Sequence, residues 1–359
     1  MTEEQVLAAL RTVDDPDIKK DLVSLNMIDR VEISGNKVFF RLTLTTPACP
    51  LKEKIKNDCI NAIHNLVSAD AEVEIDITAS VTSKRDSNLN ILPSVKNIIC
   101  VASGKGGVGK STVAVNLAFA LARQGAKVGL LDADIYGPSV PTMLGIKGKR
   151  PGVRLIKDKH YIEPLEVNGV KVLSIGLLID DKQAVVWRGP MVTSALRQFV
   201  TDCIWGKLDY LILDSPPGTG DVHITMVQTL HVTGAVIVST PQEVALADAR
   251  KALSMFRLDT INVPVLGIVE NMAWFTPEEL PNNKYYIFGK GGAAQMAADY
   301  ELPLLGQIPL VQGIREGGDE GKPIVLGDSI TAAAFNELAE NVARQVAIRN
   351  AQVTEKAFL

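Results

Sequence analysis

Apolar and polar residues alternate through Val38-Phe39-Phe40-Arg41-Leu42-Thr43-Leu44, so that Val38, Phe40, Leu42 and Leu44 share a face, the period of a half-buried strand. Ahead of it the spacing predicts a helix over Glu3 to Val13, a break at Asp14-Asp15-Pro16-Asp17 and a hairpin turning at Ser34-Gly35-Asn36. After Pro50 the period lengthens. Leu51, Ile55, Cys59, Ile60, Ile63 and Leu66 recur at threes and fours, which predicts a helix, and Glu72 to Ile77 reads as another strand. Residues 1–81 are therefore expected to form a small α+β domain.

Between Thr82 and Ser94 the chain is polar and aperiodic, and residues 82–94 read as a linker. Beyond it strands and helices alternate: a strand at Asn97 to Ala102, a helix from Lys110 to Arg123, then strands at Lys127 to Asp132, Tyr210 to Asp214, Ala235 to Thr240 and Val263 to Glu270. Unbroken apolar runs such as Val236-Ile237-Val238 predict strands covered on both faces. The expected fold class is α/β, a mostly parallel sheet flanked by helices over 95–350, with a short tail at 351–359.

Composition narrows the setting. With 47% hydrophobic and 22% charged residues the chain has material for a sizeable core, and disorder is not expected. A net charge of −4 argues against nucleic acid as a partner, and no apolar stretch is long enough to span a bilayer, so no membrane partner is expected. The N-terminal Met1-Thr2-Glu3-Glu4-Gln5 is acidic and lacks a basic stretch followed by an apolar run, so no secretory signal is expected. Four scattered cysteines, Cys49, Cys59, Cys100 and Cys203, fit a reducing compartment, and a cytoplasmic location is expected.

The chemistry concentrates at Gly104-Lys105-Gly106-Gly107-Val108-Gly109-Lys110-Ser111-Thr112, which has P-loop spacing between a predicted strand and a predicted helix. Glycines let consecutive N–H groups turn onto phosphates, and the helix N-terminus adds partial positive charge. Lys110 is expected to neutralise β/γ-phosphate oxygens of ATP, Ser111 to ligate Mg²⁺, and Thr112 to meet the α-phosphate. Two apolar strands end in acid, Leu130-Leu131-Asp132-Ala133-Asp134 and Leu211-Ile212-Leu213-Asp214, which brings carboxylates to the sheet edge where α/β proteins bind ligands.

Lys105 directly after Gly104 resembles the deviant Walker A motif of the MinD/ParA/nitrogenase-reductase class. That resemblance implies an ATPase working as a sandwich homodimer, with Lys105 reaching the phosphates of the partner subunit; hydrolysis is expected to be slow because the lysines and aspartates supply charge stabilisation but no strong base. It places Asp132 and Asp134 in switch I and Asp214 in switch II. Asp214 would hold a Mg²⁺-bound water, Asp132 would position the attacking water, and Asn271 would read the adenine edge. His223 is expected in the switch II loop in a structural role, while His64, His160 and His231 offer no metal spacing.

Four segments carry a narrower resemblance: Asp132-Ala133-Asp134-Ile135-Tyr136-Gly137-Pro138-Ser139-Val140-Pro141, Trp187-Arg188-Gly189-Pro190-Met191, Asp214-Ser215-Pro216-Pro217-Gly218-Thr219-Gly220-Asp221 and Glu270-Asn271-Met272. Together they resemble the Mrp/ApbC family of iron-sulfur cluster carrier ATPases. The N-terminal segments Asp15-Pro16-Asp17, Asp21-Leu22-Val23-Ser24-Leu25 and Thr45-Thr46-Pro47-Ala48-Cys49-Pro50 resemble the small iron-sulfur-assembly domain found in members of that family. The resemblance implies an iron-sulfur cluster as cargo and apoproteins as clients. The chain departs from the pattern in one respect. Members usually carry Cys-x-x-Cys shortly after Glu-Asn-Met, and residues 273–289 contain no cysteine. Cys49, between two prolines ahead of a helix, is then the best candidate ligand, and Cys59, Cys100 and Cys203 read as core or structural. A metal-free adaptor ATPase and a partition ATPase stand as alternatives.

Overall fold

A computed structural model describes residues 1–85, 91–135, 137–178, 196–277, 279–280 and 282–356. The chain separates into two compact units, 1–84 together with 343–359, and 85–342. In the first, helix α1 (Glu3–Leu10) opens with a capping box between Thr2 and Gln5. It is followed by the two-residue pair β1 (Asp14–Asp15) and β2 (Lys20–Asp21), and by a three-stranded sheet of β3 (Ile28–Ser34), β4 (Lys37–Leu44) and β5 (Glu72–Ala79). Between β4 and β5 runs α2 (Lys52–Leu66). The alternation along β4 buries Val38, Phe40, Leu42 and Leu44 against Ile55, Cys59 and Ile63 of α2 in one cluster. The helix expected to reach Val13 ends at Leu10, and Val13 itself packs into that core.

The second unit is built on an eight-stranded sheet ordered β10-β11-β7-β12-β6-β13-β14-β15. Its central strands are β6 (Val95–Ala102), β7 (Val128–Asp132), β12 (Leu208–Asp214), β13 (Gly234–Ser239), β14 (Val265–Phe275) and β15 (Leu304–Leu310), all parallel. β11 (Val170–Ser174) continues the parallel set, and β10 (Leu165–Val167) closes the edge antiparallel. A separate ribbon pairs β8 (Gly152–Ile156) with β9 (Lys159–Glu163). Helices α3 (Lys110–Arg123), α4 (Val140–Met143), α5 (Asp221–Leu230), α6 (Glu243–Phe256), α7 (Gly292–Asp299) and α8 (Gln312–Glu320) accompany it. Every residue of β13 and all but Lys96 of β6 are buried, as apolar runs covered on both faces require.

Helix α9 (Ile330–Lys356) spans both groupings. Phe335, Leu338, Ala339 and Val342 are buried on its first half. Past residue 343 it belongs with the N-terminal unit, where Arg344 pairs with Asp17 at 2.5 Å and Asn350 donates to the Thr82 carbonyl. A domain end at 350 and a tail over 351–359 are expected from the sequence, whereas the helix runs on to Lys356. Trp187 to Met191, Tyr136 and the linker residues 86–90 lie outside the described residues.

Candidate functional site

The loop between β6 and α3 takes the shape its glycines permit. Gly107 and Gly109 sit at φ 82° and 81°, the left-handed region that a side chain strains, and Gly109 caps α3. At Gly104 the constraint is space, since a Cβ there would lie 2.1 Å from the Asp248 backbone of α6. The loop is tied to its neighbours by short polar contacts. Ser103 Oγ donates to the Lys105 carbonyl at 2.9 Å, and the Gly218 amide donates to the Ser103 carbonyl at 2.9 Å, joining the segment after β12 to the loop. Lys105 is half-buried and Gly106 and Gly107 are exposed.

Lys110, the first residue of α3, buries its ammonium beside carboxylates. Nζ lies 2.5 Å from Asp214 Oδ1, 3.3 Å from Ser111 Oγ and 4.0 Å from Asp134 Oδ2. Asp214 is fully buried, and burial raises its carboxyl against the opposing pull of Lys110 and Ser111. Its second oxygen, Oδ2, is buried without a hydrogen-bond partner. An orphaned carboxylate oxygen next to a serine hydroxyl is a hard-donor set that fits Mg²⁺, whose other ligands are ordinarily phosphate oxygens and water. Among the described residues no group of three or more His, Cys, Asp or Glu side chains is placed to hold a metal by itself.

Asp132, the residue expected to position the attacking water, and Asp134 have different surroundings. Parallel register puts Asp132, Asp214 and Ser174 abreast at three strand ends. Asp132 is completely buried; Oδ2 accepts from Ser174 Oγ at 2.8 Å and Oδ1 from the Asp134 amide at 3.1 Å. Burial, with the charge of Asp214 added, pushes its carboxyl up to about 7. Asp134 is partly exposed, with Oδ2 4.0 Å from Lys110 Nζ. Ser174 was missed by sequence reasoning, although it ends the apolar run Val170–Ser174 as Asp132 ends its own.

Asn271 lies inside β14, not after a strand that ends at Glu270. Its Nδ2 donates to the Val108 carbonyl at 2.8 Å, and a Cβ on Gly109 would meet that same nitrogen at 2.2 Å. The amide therefore braces the P-loop from behind. His223 is in α5, not in a loop, because the helix already begins at Asp221. It packs edge-on to Phe256 with 5.4 Å between ring centroids, and Nε2 is 4.0 Å from Cys100 Sγ.

All four cysteines are thiols. Burial pushes Cys59, Cys100 and Cys203 up to about 12, which leaves them poor ligands and nucleophiles. Cys49 is half-buried in the turn before α2, and its carbonyl accepts from the Lys52 amide at 3.4 Å. The cysteine-free segment 273–289, which begins in the last residues of β14, is rich in aromatic residues. Phe275 and Tyr285 bridge in antiparallel fashion, and Lys284 Nζ lies 3.7 Å over the Trp274 ring.

The chain is similar along most of its length to proteins named iron-sulfur cluster carrier protein. It is 49% identical over 351 residues to that of Synechocystis, covering 97% of this chain and 99% of the relative. To that of Escherichia coli K12 it is 43% identical over 344 residues, 95% and 91% of the two chains. Among solved structures, a nucleotide-binding protein in complex with ADP from Archaeoglobus fulgidus superposes with a TM-score of 0.57 at 39% identity, covering 68% of this chain and 95% of that one. The cell division ATPase MinD of Pyrococcus furiosus gives 0.51 at 28% identity, with 68% and 98% covered. The family described as iron-sulfur cluster assembly protein matches residues 3–77. With its P-loop, acidic strand ends and parallel sheet all inside the matched residues 94–343, the chain belongs to the NUBPL iron-transfer P-loop NTPase family.

Proposed function

We propose that this protein is an iron-sulfur cluster carrier that binds ATP with Mg²⁺, hydrolyses it slowly, and passes its cargo to apoproteins. The observation that carries the nucleotide reading is the buried Lys110 ammonium between Asp214 and Asp134, at the mouth of a glycine loop. Bound phosphate draws Lys110 off Asp214 and exchanges one charge partner for another. Ser111, and Asp214 through a water, would hold Mg²⁺, which supplies neutralisation of charge developing on the β- and γ-phosphates. Asp134, partly exposed beside Lys110, is better placed than the enclosed Asp132 to orient water. Turnover is slow because the site offers charge stabilisation and carboxylates but no imidazole base, His223 being buried behind the loop and held neutral. Lys105, half-buried at the rim of the same loop, supports a homodimer in which each subunit's lysine reaches the other's nucleotide.

The cargo reading rests on relatives that share both halves of the chain. Residues 273–289 offer no thiolate, and three of the four cysteines are core thiols. Cys49 is thus the ligand we assign, with a symmetry mate or a client supplying the rest, since cluster iron takes thiolates in preference to carboxylates or phenols. Anaerobic reconstitution with iron and sulfide tests this. Wild type binds iron and sulfide, Cys49→Ser loses them, and Cys203→Ser keeps them. Equal iron in both variants removes Cys49 as ligand, and no iron in the wild type makes the metal-free adaptor the better reading.

A further inference from the structure

The β8–β9 ribbon contributes none of the nucleotide-site residues named above, and among the described residues no strand pairs with its outer edge. Ile162 of β9 turns its backbone away from β8: its N–H donates to the Asp202 carbonyl at 2.7 Å, and its carbonyl accepts from the Ile204 amide at 2.8 Å. In an antiparallel pair, opposed residues face their backbone groups both inward or both outward. Val153 stands opposite Ile162 and Leu155 opposite His160, so the N–H and C=O of Val153 and Leu155 point out from the ribbon. Among the described residues none of these groups has a backbone partner beyond the hairpin. The same two residues are large, apolar and exposed, Val153 at 66% and Leu155 at 60%. Beside Val153 a groove of about 320 Å³ opens over Phe199 and Gln198, bordered by His160 and Ile162.

The charge around this edge has one sign. Residues 147–160 hold six cations, Lys147, Lys149, Arg150, Arg154, Lys157 and Lys159, against the single carboxylate Asp158, in a chain whose net charge is −4. Part of that charge is used locally, since Arg154 pairs with Glu163 and Lys159 with Asp202. Charges alone would merely blunt an edge against aggregation, but exposed apolar side chains beside unpaired backbone do the opposite.

We infer that the outer edge of β8 is a docking site for an extended, acidic segment of a partner protein, which adds to the ribbon as a third strand. Its main chain pairs with Val153 and Leu155, alternate apolar side chains lie against those residues and the groove, and its carboxylates meet Lys149, Arg150 and Lys157. A lipid or nucleic-acid partner would satisfy the charge but leave the backbone groups unpaired. The full-length protein is titrated with a capped seven-residue peptide alternating valine and glutamate, and amide hydrogen exchange is read at Gly152–Ile156. Exchange at Val153 and Leu155 is expected to slow at least tenfold, with binding weakened about tenfold by raised salt and by Lys149→Glu/Arg150→Glu, both surface changes that leave folding intact. The lysine counterpart of the peptide should not bind. Unprotected β8 amides, or equal binding by the charge-reversed variant, overturn the proposal. So does protection by phosphatidylserine vesicles or single-stranded DNA without protection by peptide. Concentration-dependent self-association abolished by Leu155→Asp would make a second copy the occupant and overturn it equally.

Discussion

Two carboxylates one residue apart have different surroundings. Asp132 has both oxygens engaged, by Ser174 and the Asp134 amide, while Asp134 keeps an oxygen toward Lys110. Asp134→Asn is therefore expected to retain ATP and lose hydrolysis by about 10²–10³-fold, the usual effect of removing one transition-state group. Asp132→Asn should fall by less than tenfold; single-turnover assays separate the two. His223 yields a second prediction. Burial, opposed by the nearby carbonyls of Gly218 and Pro216, pushes its imidazole from 6.5 down to about 4. The unfolded chain takes up a proton near 6.5 that the folded chain refuses until about 4. Stability is lost as pH falls through that window, by on the order of 3 kcal/mol in all. His223→Leu, which still packs on Phe256, should show a shallower fall in urea midpoint between pH 6.5 and 4 than wild type. An equal fall would mean that buried carboxylates alone carry it.

At the scale of elements, the site depends on what stands behind the P-loop. β14 runs past Glu270 to Phe275 and so delivers Asn271 to the Val108 carbonyl. Losing this buried hydrogen bond costs about 1–3 kcal/mol. Asn271→Ala is accordingly expected to weaken ATP and GTP binding alike, by roughly tenfold, as measured by calorimetry. A loss confined to ATP would support the adenine-reading role expected from the resemblance. The same region explains where sequence patterning fell short. The helix α3 and the strands β4, β6, β7, β12 and β13 were legible because burial on one face or both writes a period into the residues. The expected strand stops at Glu270, short of the observed end at Phe275, because the next residue, Asn271, is polar yet buried. The ribbon β8–β9 was not read at all, since its strands are largely exposed and carry no alternation to see.

Taken as a whole molecule, the chain has a nucleotide unit and an N-terminal unit to which the end of α9 belongs. No helix among the described residues is long and apolar enough to cross a membrane. If Lys105 acts across a homodimer, ATP should shift the wild type to a dimer in sedimentation velocity and leave Lys105→Ala unshifted, with hydrolysis reduced to match. Unchanged dimerisation and turnover in the variant would withdraw the trans role. By itself the sequence determined the α/β class, the position of the nucleotide loop and the acidic strand ends, and the cysteine-free stretch, because periodicity, glycine spacing and residue identity are local properties of the chain. Only the tertiary structure decided which aspartate is enclosed, that Ser174 bonds Asp132 and Asn271 bonds the Val108 carbonyl, that His223 is a core imidazole, and that no strand among the described residues pairs with the outer edge of β8. Each of these depends on register between strands far apart in sequence, and on which side of a strand end is left for solvent or a ligand to reach.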